Sequence, residues 1–199
     1  LAPDDQARYS GIIQDESIRL TRLLDDLLDL SVLEAGQVVL NPVQDRLGAV
    51  IDRAVAAASA AGGEVRQIIE RDASAEDIAL HTDTGRLAQV FINLISNAAK
   101  YGTAQTPRLQ IKVSLNADMV QVDFIDNGPG IPAASHTLIF EKFSRLDATT
   151  AATGAGLGLA ICREITARLG GEIRYLPDQE GGAFRVIFPA KLTDLEEAT

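Results

Sequence analysis

Three stretches of this chain carry side chains and glycines in arrangements suited to a flat, phosphorylated ligand. The first is Gln89-Val-Phe-Ile-Asn93-Leu-Ile-Ser-Asn97-Ala-Ala-Lys100-Tyr101, where Asn93, Asn97 and Lys100 or Tyr101 recur every three or four residues and share one helix face. Amide oxygens can ligate a hard cation such as Mg²⁺, and a lysine ammonium can meet phosphate oxygens. Taken alone, the stripe reads equally well as a solvated face. The second stretch, Gly154-Ala155-Gly156-Leu157-Gly158-Leu-Ala-Ile161, opens directly into a helix. Backbone N–H groups there, with the helix dipole behind them, form an anion site suited to phosphate. The spacing is not that of the dinucleotide-binding fingerprint, and no GK[ST] follows to make a Walker loop. A lone glycine run is more often a loop than a ligand site. The third stretch, Asp126-Asn-Gly128-Pro-Gly130-Ile131-Pro132, ends a strand-like run. Asp126 could accept a hydrogen bond from an exocyclic amine while Gly128 and Gly130 let backbone approach a ring; the bland alternative is a tight turn with an incidental acid. Between the last two lies Ile139-Phe-Glu-Lys142-Phe-Ser-Arg145, in which Phe140 and Phe143 read as packing residues and Lys142 or Arg145 could reach phosphates.

These stretches need elements to hold them. From about Asp4 to Ala35, Ile13, Leu20 and Leu27 repeat every seven residues with Leu24 between, a seam nearly coiled-coil in spacing. A helix this long cannot bury its seam alone, so it reads as half of a helical hairpin that dimerises, with Gly36 as its stop. Beyond it, the spacing predicts a strand over Gln37–Val43 and a helix over Leu47–Ala61. Strands are expected over Val65–Ile69 and Ile78–His81, then an amphipathic helix over Thr84–Tyr101 capped by Asp83. Leu109–Leu115 and Met119–Ile125 form a hairpin, Leu157–Leu169 a helix, and Glu172–Tyr175 and Ala183–Phe188 a last strand pair through Gly181-Gly182. Helices mixed with antiparallel strands predict an α+β, two-layer sandwich with helices on one face of a mixed sheet, preceded by the long helix.

The 199 residues suffice for one domain and an accessory element. Eighteen basic against 28 acidic side chains leave a charge of −10, which argues against general affinity for nucleic acid or an anionic membrane surface. One cysteine, Cys162, excludes an internal disulfide and fits a reducing compartment; its apolar position reads as core packing. No apolar run approaches the roughly 18 residues of a membrane span. Any membrane segment is therefore expected upstream of Leu1, and this region is expected to be cytoplasmic.

In order and spacing, NLISNAAKY, DNGPGIP, IFEKFSR, GAGLGLAI and GGAFRVIFP resemble the N, G1, F, G2 and terminal glycine boxes of the sensor histidine kinase family, over roughly residues 77 to 190. The front, Gln14 to Leu30, is similar to the second helix of that family's dimerisation and phosphotransfer hairpin. The resemblance implies the Bergerat ATP-binding fold over 37–191, part of the hairpin over 1–36 and a C-terminal tail over 192–199. It implies ATP and Mg²⁺ as ligands, a response-regulator receiver domain as partner, and a homodimer through the hairpin. Carried over by position, Asn97 ligates the metal, with Asn93 supporting it and the γ-phosphate. Lys100 contacts phosphate and Tyr101 lies against adenine. Asp126 takes the adenine amino group, with Gly128, Gly130 and Ile131 against the ring. Lys142 and Arg145 serve the phosphates, Asn93, Lys100 and Arg145 being the catalytic set. Gly154, Ala155, Gly156, Leu157 and Gly158 cradle the phosphates below a lid over 148–153.

One departure stands out. The family's attacking imidazole lies on the first hairpin helix, and the only histidines here, His81 and His136, occupy no such helix. The acceptor is therefore expected upstream of Leu1, and neither His81 nor His136 is read as the phosphoacceptor. Two other readings stay open: a degenerate module that holds nucleotide as a conformational signal, and a gyrase-like or chaperone-like ATPase. Relatives of the latter kind place a glutamate base where Asn93 stands, and an amide has no comparable basicity.

Overall fold

A computed structural model describes residues 3–36, 38–62, 68–71, 76–102, 105–144, 155–177 and 179–192. Helix α1 runs over Pro3–Glu34 and ends where the N–H groups of Ala35 and Gly36 bond back to Ser31 and Leu33, with Gly36 in the left-handed region at φ +72. Strand β1 (Val43–Arg46) starts six residues and ends three residues later than the sequence pattern suggests. Pro42 offers no N–H to a ladder and falls just before the pairing begins, and the Asn41 N–H is taken by the Asp83 carboxylate at 3.0 Å rather than by a strand. Helix α2 (Leu47–Gly62) buries Leu47, Val50, Ile51, Ala54 and Ala58, a spacing of three, four and seven that marks one helical face.

Strands β2 (Ile68–Arg71) and β3 (Ala79–Thr82) lead into helix α3 (Thr84–Tyr101), whose first turn is capped by Asp83 accepting from the Arg86 N–H at 3.0 Å. Then follow β4 (Arg108–Asn116), β5 (Met119–Asp126), two short 3-10 turns at Ala133–Ser135 and Leu138–Phe140, helix α4 (Gly158–Arg168), and strands β6 (Glu172–Tyr175) and β7 (Ala183–Pro189). Five strands form one sheet in the order β2-β4-β5-β7-β6, parallel only between β2 and β4; β1 and β3 make a separate antiparallel pair.

The register sorts the faces. Val120, Val122 and Phe124 lie opposite Phe188, Val186 and Phe184, and all six are buried. Their intervening partners Asp123 and Arg185 point to the other face, joined by two hydrogen bonds of 2.8 and 2.7 Å. Helices therefore cover one side of the sheet, as the alternation in the sequence implies. On that side Phe91 of α3 meets Phe124 and Phe188, with ring centroids 5.2 and 6.5 Å apart. Phe91→Ala is expected to lower the unfolding free energy by about 3–5 kcal/mol, measured by denaturant titration; a loss near zero would mean this contact is not the core.

The C-terminal half of α1 is docked on the rest. Leu30 and Leu33 are buried, Asp29 accepts from Arg86 at 2.7 Å and Gln89 at 2.6 Å, and Glu34 pairs with Lys142 at 2.6 Å. The Arg168 guanidinium donates to the Leu33 carbonyl at 2.7 Å. On another face Ile13, Leu20, Leu24 and Leu28 are more than half exposed. The helix thus has a covered side and an apolar side without a partner among the described residues.

Candidate functional site

The amide stripe of α3 is real and sits beside the two glycine stretches. Its buried side carries Leu87, Val90, Phe91, Leu94, Ile95 and Ala98, which leaves Asn93 and Asn97 half-buried and Lys100 and Tyr101 exposed at its end. A Cβ built on Gly158 would lie 3.4 Å from Asn93 Oδ1, so the start of α4 abuts the stripe. A Cβ on Gly128 would lie 3.2 Å from the Tyr101 carbonyl oxygen, so the Asp126 loop abuts the stripe's far end. The Lys100 ammonium rests 4.8 Å from the Tyr101 ring centroid.

Asp126 has a divided carboxylate. Its Oδ1 accepts from the Gly128 N–H at 2.7 Å and the Gly182 N–H at 3.1 Å, while among the described residues no group donates to Oδ2. A Cβ on Gly182 would come within 2.5 Å of that free oxygen, and one on Gly181, at φ +113, would strike the Asp126 carbonyl. Only glycines leave the approach open. Burial raises the Asp126 carboxyl above its ordinary value, partly offset by the two backbone N–H groups. Next to it Asn127 bridges two strand ends, accepting from the Arg108 N–H at 2.8 Å and donating to the Thr106 carbonyl at 3.0 Å.

Beside Asn93, at the other end of the stripe, the first turn of α4 is left open. Leu157 precedes it with no side-chain cap, and no acidic residue occupies the turn. Among the described residues no side chain claims its N–H groups and positive dipole end. Gly156 at φ +72 makes the entry, and a Cβ there would lie 2.7 Å from the Ser144 carbonyl oxygen. Among the described residues no group of three His, Cys, Asp or Glu side chains could hold a metal. A cation in this place would rest on amide oxygen and on the ligand's own oxygens, and the Asn93–Asn97 stripe beside an open helix start fits such a hard cation.

The structure thus brings together Asn93, Asn97, Lys100, Tyr101, Asp126, Gly128, Gly130 and Ile131 with Ala155, Gly156, Leu157 and Gly158. Lys142 is turned toward α1, where Glu34 holds it. Arg145, Gly154 and the lid over 148–153 lie outside the described residues. Cys162 is fully buried beside the Val90 carbonyl, and burial pushes its thiol up to about 12, in keeping with a packing role. His81 sits in β3 with Nδ1 buried and without a hydrogen-bond partner among the described residues. Its backbone pairs with Ala190 and Leu192.

Sequence reasoning took Gly181-Gly182 as a strand connector and as the start of the terminal glycine box, without a bond to Asp126, although Gly182 supplies one of the two N–H groups on that carboxylate. It gave no role in the site to Tyr175 or to His136, whose side chains bond Ile131 in the loop after Asp126, or to Asn127, whose side chain ties the start of that loop to Arg108 and Thr106. A paired glycine before a last strand was the available signal for the first. Nothing local marked the others.

A sheet with helices on one face, an amide-bearing helix and an uncapped helix start define the class. The chain belongs to the family described as histidine kinase-, DNA gyrase B- and HSP90-like ATPase, whose model matches residues 82–192. Within that family its similarity runs to sensor kinases. It is 35% identical to the sensor protein KdpD of Escherichia coli over 96% of this chain and 21% of that protein. Among solved structures, ShkA in complex with AMPPNP superposes with a TM-score of 0.81 at 26% identity, over 95% of this chain and 40% of that one. Histidine kinase ThkA in complex with the response regulator TrrA does so with a TM-score of 0.74 at 26% identity, over 96% and 53%. The chain spans about a fifth of the length of KdpD. Among its described residues no helix is long and apolar enough to cross a membrane.

Proposed function

We propose that this chain is the ATP–Mg²⁺-binding catalytic part of a sensor histidine kinase. It transfers the γ-phosphoryl group of ATP to a histidine on a helix upstream of Leu1, for relay to an aspartate of a response-regulator receiver domain. The observation that carries the reading is Asp126, with one oxygen saturated by two backbone N–H groups and the other free at a glycine-lined approach. That free oxygen accepts the adenine amino group, and Gly128, Gly130 and Ile131 lie along the ring with Tyr101 across from them. Lys100 meets phosphate. Ala155 to Gly158 offer N–H groups to the phosphates, joined by Gly154 and, as the site closes, by Arg145. Asn97, supported by Asn93, holds Mg²⁺, which neutralises phosphate charge when bound. In the transfer the bond from γ-phosphorus to its bridging oxygen breaks as the imidazole nitrogen bonds to phosphorus, and ADP leaves. The protein's share is positioning and charge stabilisation.

The complexes of ShkA with a nucleotide analogue and of ThkA with a response regulator support ligand and partner by similarity. The uncovered apolar face of α1 supports a homodimer through a hairpin to which residues 1–36 contribute the second helix, α1, and a cytoplasmic location follows from the same reading. His81 and His136 make poor acceptors: the first has its Nδ1 buried, and the second has Nε2 engaged by the Ile131 carbonyl at 2.8 Å. Titration calorimetry with ATP at millimolar Mg²⁺ is expected to show saturable binding, and incubation with radiolabelled ATP to leave this chain without phosphohistidine. Absence of any heat with ATP or its non-hydrolysable mimics sinks the reading. Stable label on His81 or His136 sinks the assignment of the acceptor.

A further inference from the structure

The loop from Asn127 to Pro132 contains no helix or strand, so its backbone polar groups need partners from elsewhere. At the entry Asp126 takes the Gly128 N–H. At the exit two side chains, one from β6 and one from five residues further along the chain, take both polar groups of Ile131. Its N–H donates to the Tyr175 hydroxyl at 3.1 Å, and its carbonyl accepts from His136 Nε2 at 2.8 Å, which places the ring proton on that nitrogen. Tyr175 in turn donates to the Gly181 carbonyl at 3.4 Å, and its ring lies against His136 with centroids 4.5 Å apart and against Phe184 at 5.4 Å. Gly130, at φ +69, allows the approach, since a Cβ there would lie 3.0 Å from the Gly181 oxygen and 3.5 Å from the Tyr175 hydroxyl. The loop, the Gly181-Gly182 turn and the end of β6 are thereby closed into one ring of bonds that includes Asp126 itself.

From this we infer that His136 and Tyr175 are positioning residues for the purine: by holding the Ile131 backbone from both sides, they fix the surface on which the base lies before any ligand arrives. The inference rests on the nucleotide reading above and adds to it the residues that set base affinity without touching the base. Preorganisation of this kind raises affinity by removing the ordering cost from the binding step. Loss of one net hydrogen bond on the loop corresponds to about a fivefold change in affinity.

The test uses the whole chain with ADP and ATP at fixed Mg²⁺, titrated calorimetrically beside thermal melts. Tyr175→Phe keeps the ring and loses only the hydroxyl. His136→Ala loses the donor, and His136→Gln retains a side-chain N–H. Tyr175→Phe and His136→Ala are each expected to weaken ADP and ATP alike by about fivefold, leaving the ATP-to-ADP ratio unchanged, and His136→Gln to recover most of the loss. Melting temperatures of all three are expected to stay near the parent value. If the parent chain binds nucleotide and both variants bind equally tightly, the inference is overturned while the nucleotide reading stands. A loss that follows the melting temperature and is not recovered by His136→Gln assigns the pair to plain stability and overturns it too. A parent chain that binds neither nucleotide removes the nucleotide reading, and this inference with it.

Discussion

Asp126→Asn is expected to weaken binding of every adenine nucleotide by at least about a hundredfold, while leaving the fold as stable as before or more so. The asparagine Oδ1 can still accept from Gly128 and Gly182, the two N–H groups now on the carboxylate. The position of Oδ2 becomes an NH₂ group, which faces the adenine amino group donor to donor. A site built around one acceptor leaves both donors unpaired and dry, and that arrangement discriminates far more strongly than a lost apolar contact. Stability moves the other way. Burial holds the Asp126 carboxyl above its ordinary 3.8, so the folded chain binds its proton more tightly than the unfolded chain. Stability tied to that proton is fully present below pH 3.8 and is lost as pH rises through the folded value. At neutral pH the parent fold therefore carries a half-buried charge that asparagine lacks. Thermal melts should favour the variant at neutral pH, and the gap should close as pH falls below 3.8. A variant that melts well below the parent at neutral pH contradicts this account, and one that binds ATP normally contradicts the role of Asp126.

The parts of the molecule legible in the sequence are those whose physics is local. Helix α3 was expected over Thr84–Tyr101 with Asp83 as cap and is found so, because a buried side recurring every three to four residues and an N-cap carboxylate are both short-range signals. The strands β4 to β7 fall within a residue or so of their expected bounds because alternation tracks the one covered face. Strand β1 was misplaced: Val38 to Val43 alternates well enough, but pairing depends on where β3 lies and on Pro42. Asn-Gly at 127–128 suggested a turn, whereas Asn127 uses its side chain to join Arg108 and Thr106 across the sheet end. Tyr175 and His136 carry no local mark at all, since what they bond is backbone more than 40 residues away in the first case and reached through a loop in the second. Contacts of that kind exist only once the register is set.

At the opposite end of the site, Gly156→Ala is expected to reduce ATP affinity at least tenfold, or about 1.4 kcal/mol, to reduce ADP affinity less, and to leave AMP binding close to that of the parent. Two costs fall on one methyl group. Gly156 has φ +72, a region that disfavours any Cβ by roughly 1–2 kcal/mol. The added atom would also lie 2.7 Å from the Ser144 oxygen, 2.9 Å from the Phe143 carbonyl carbon and 3.1 Å from its Cα. All three are backbone, so no side chain can swing aside. Phe143 is itself at φ 59, so the segment that would have to yield is already in a sparsely populated conformation. The turn must therefore move, and with it the open start of α4. Gly158→Ala provides the contrast: among the described residues its Cβ would meet the Asn93 side chain, with Oδ1 at 3.4 Å and Cγ at 3.7 Å, an ordinary contact, and its effect should be several times smaller. Loss graded by phosphate number, set against the uniform loss from Asp126→Asn, fixes which end of the ligand each stretch holds. An equal loss for AMP, ADP and ATP in Gly156→Ala would detach the glycine turn from the phosphates.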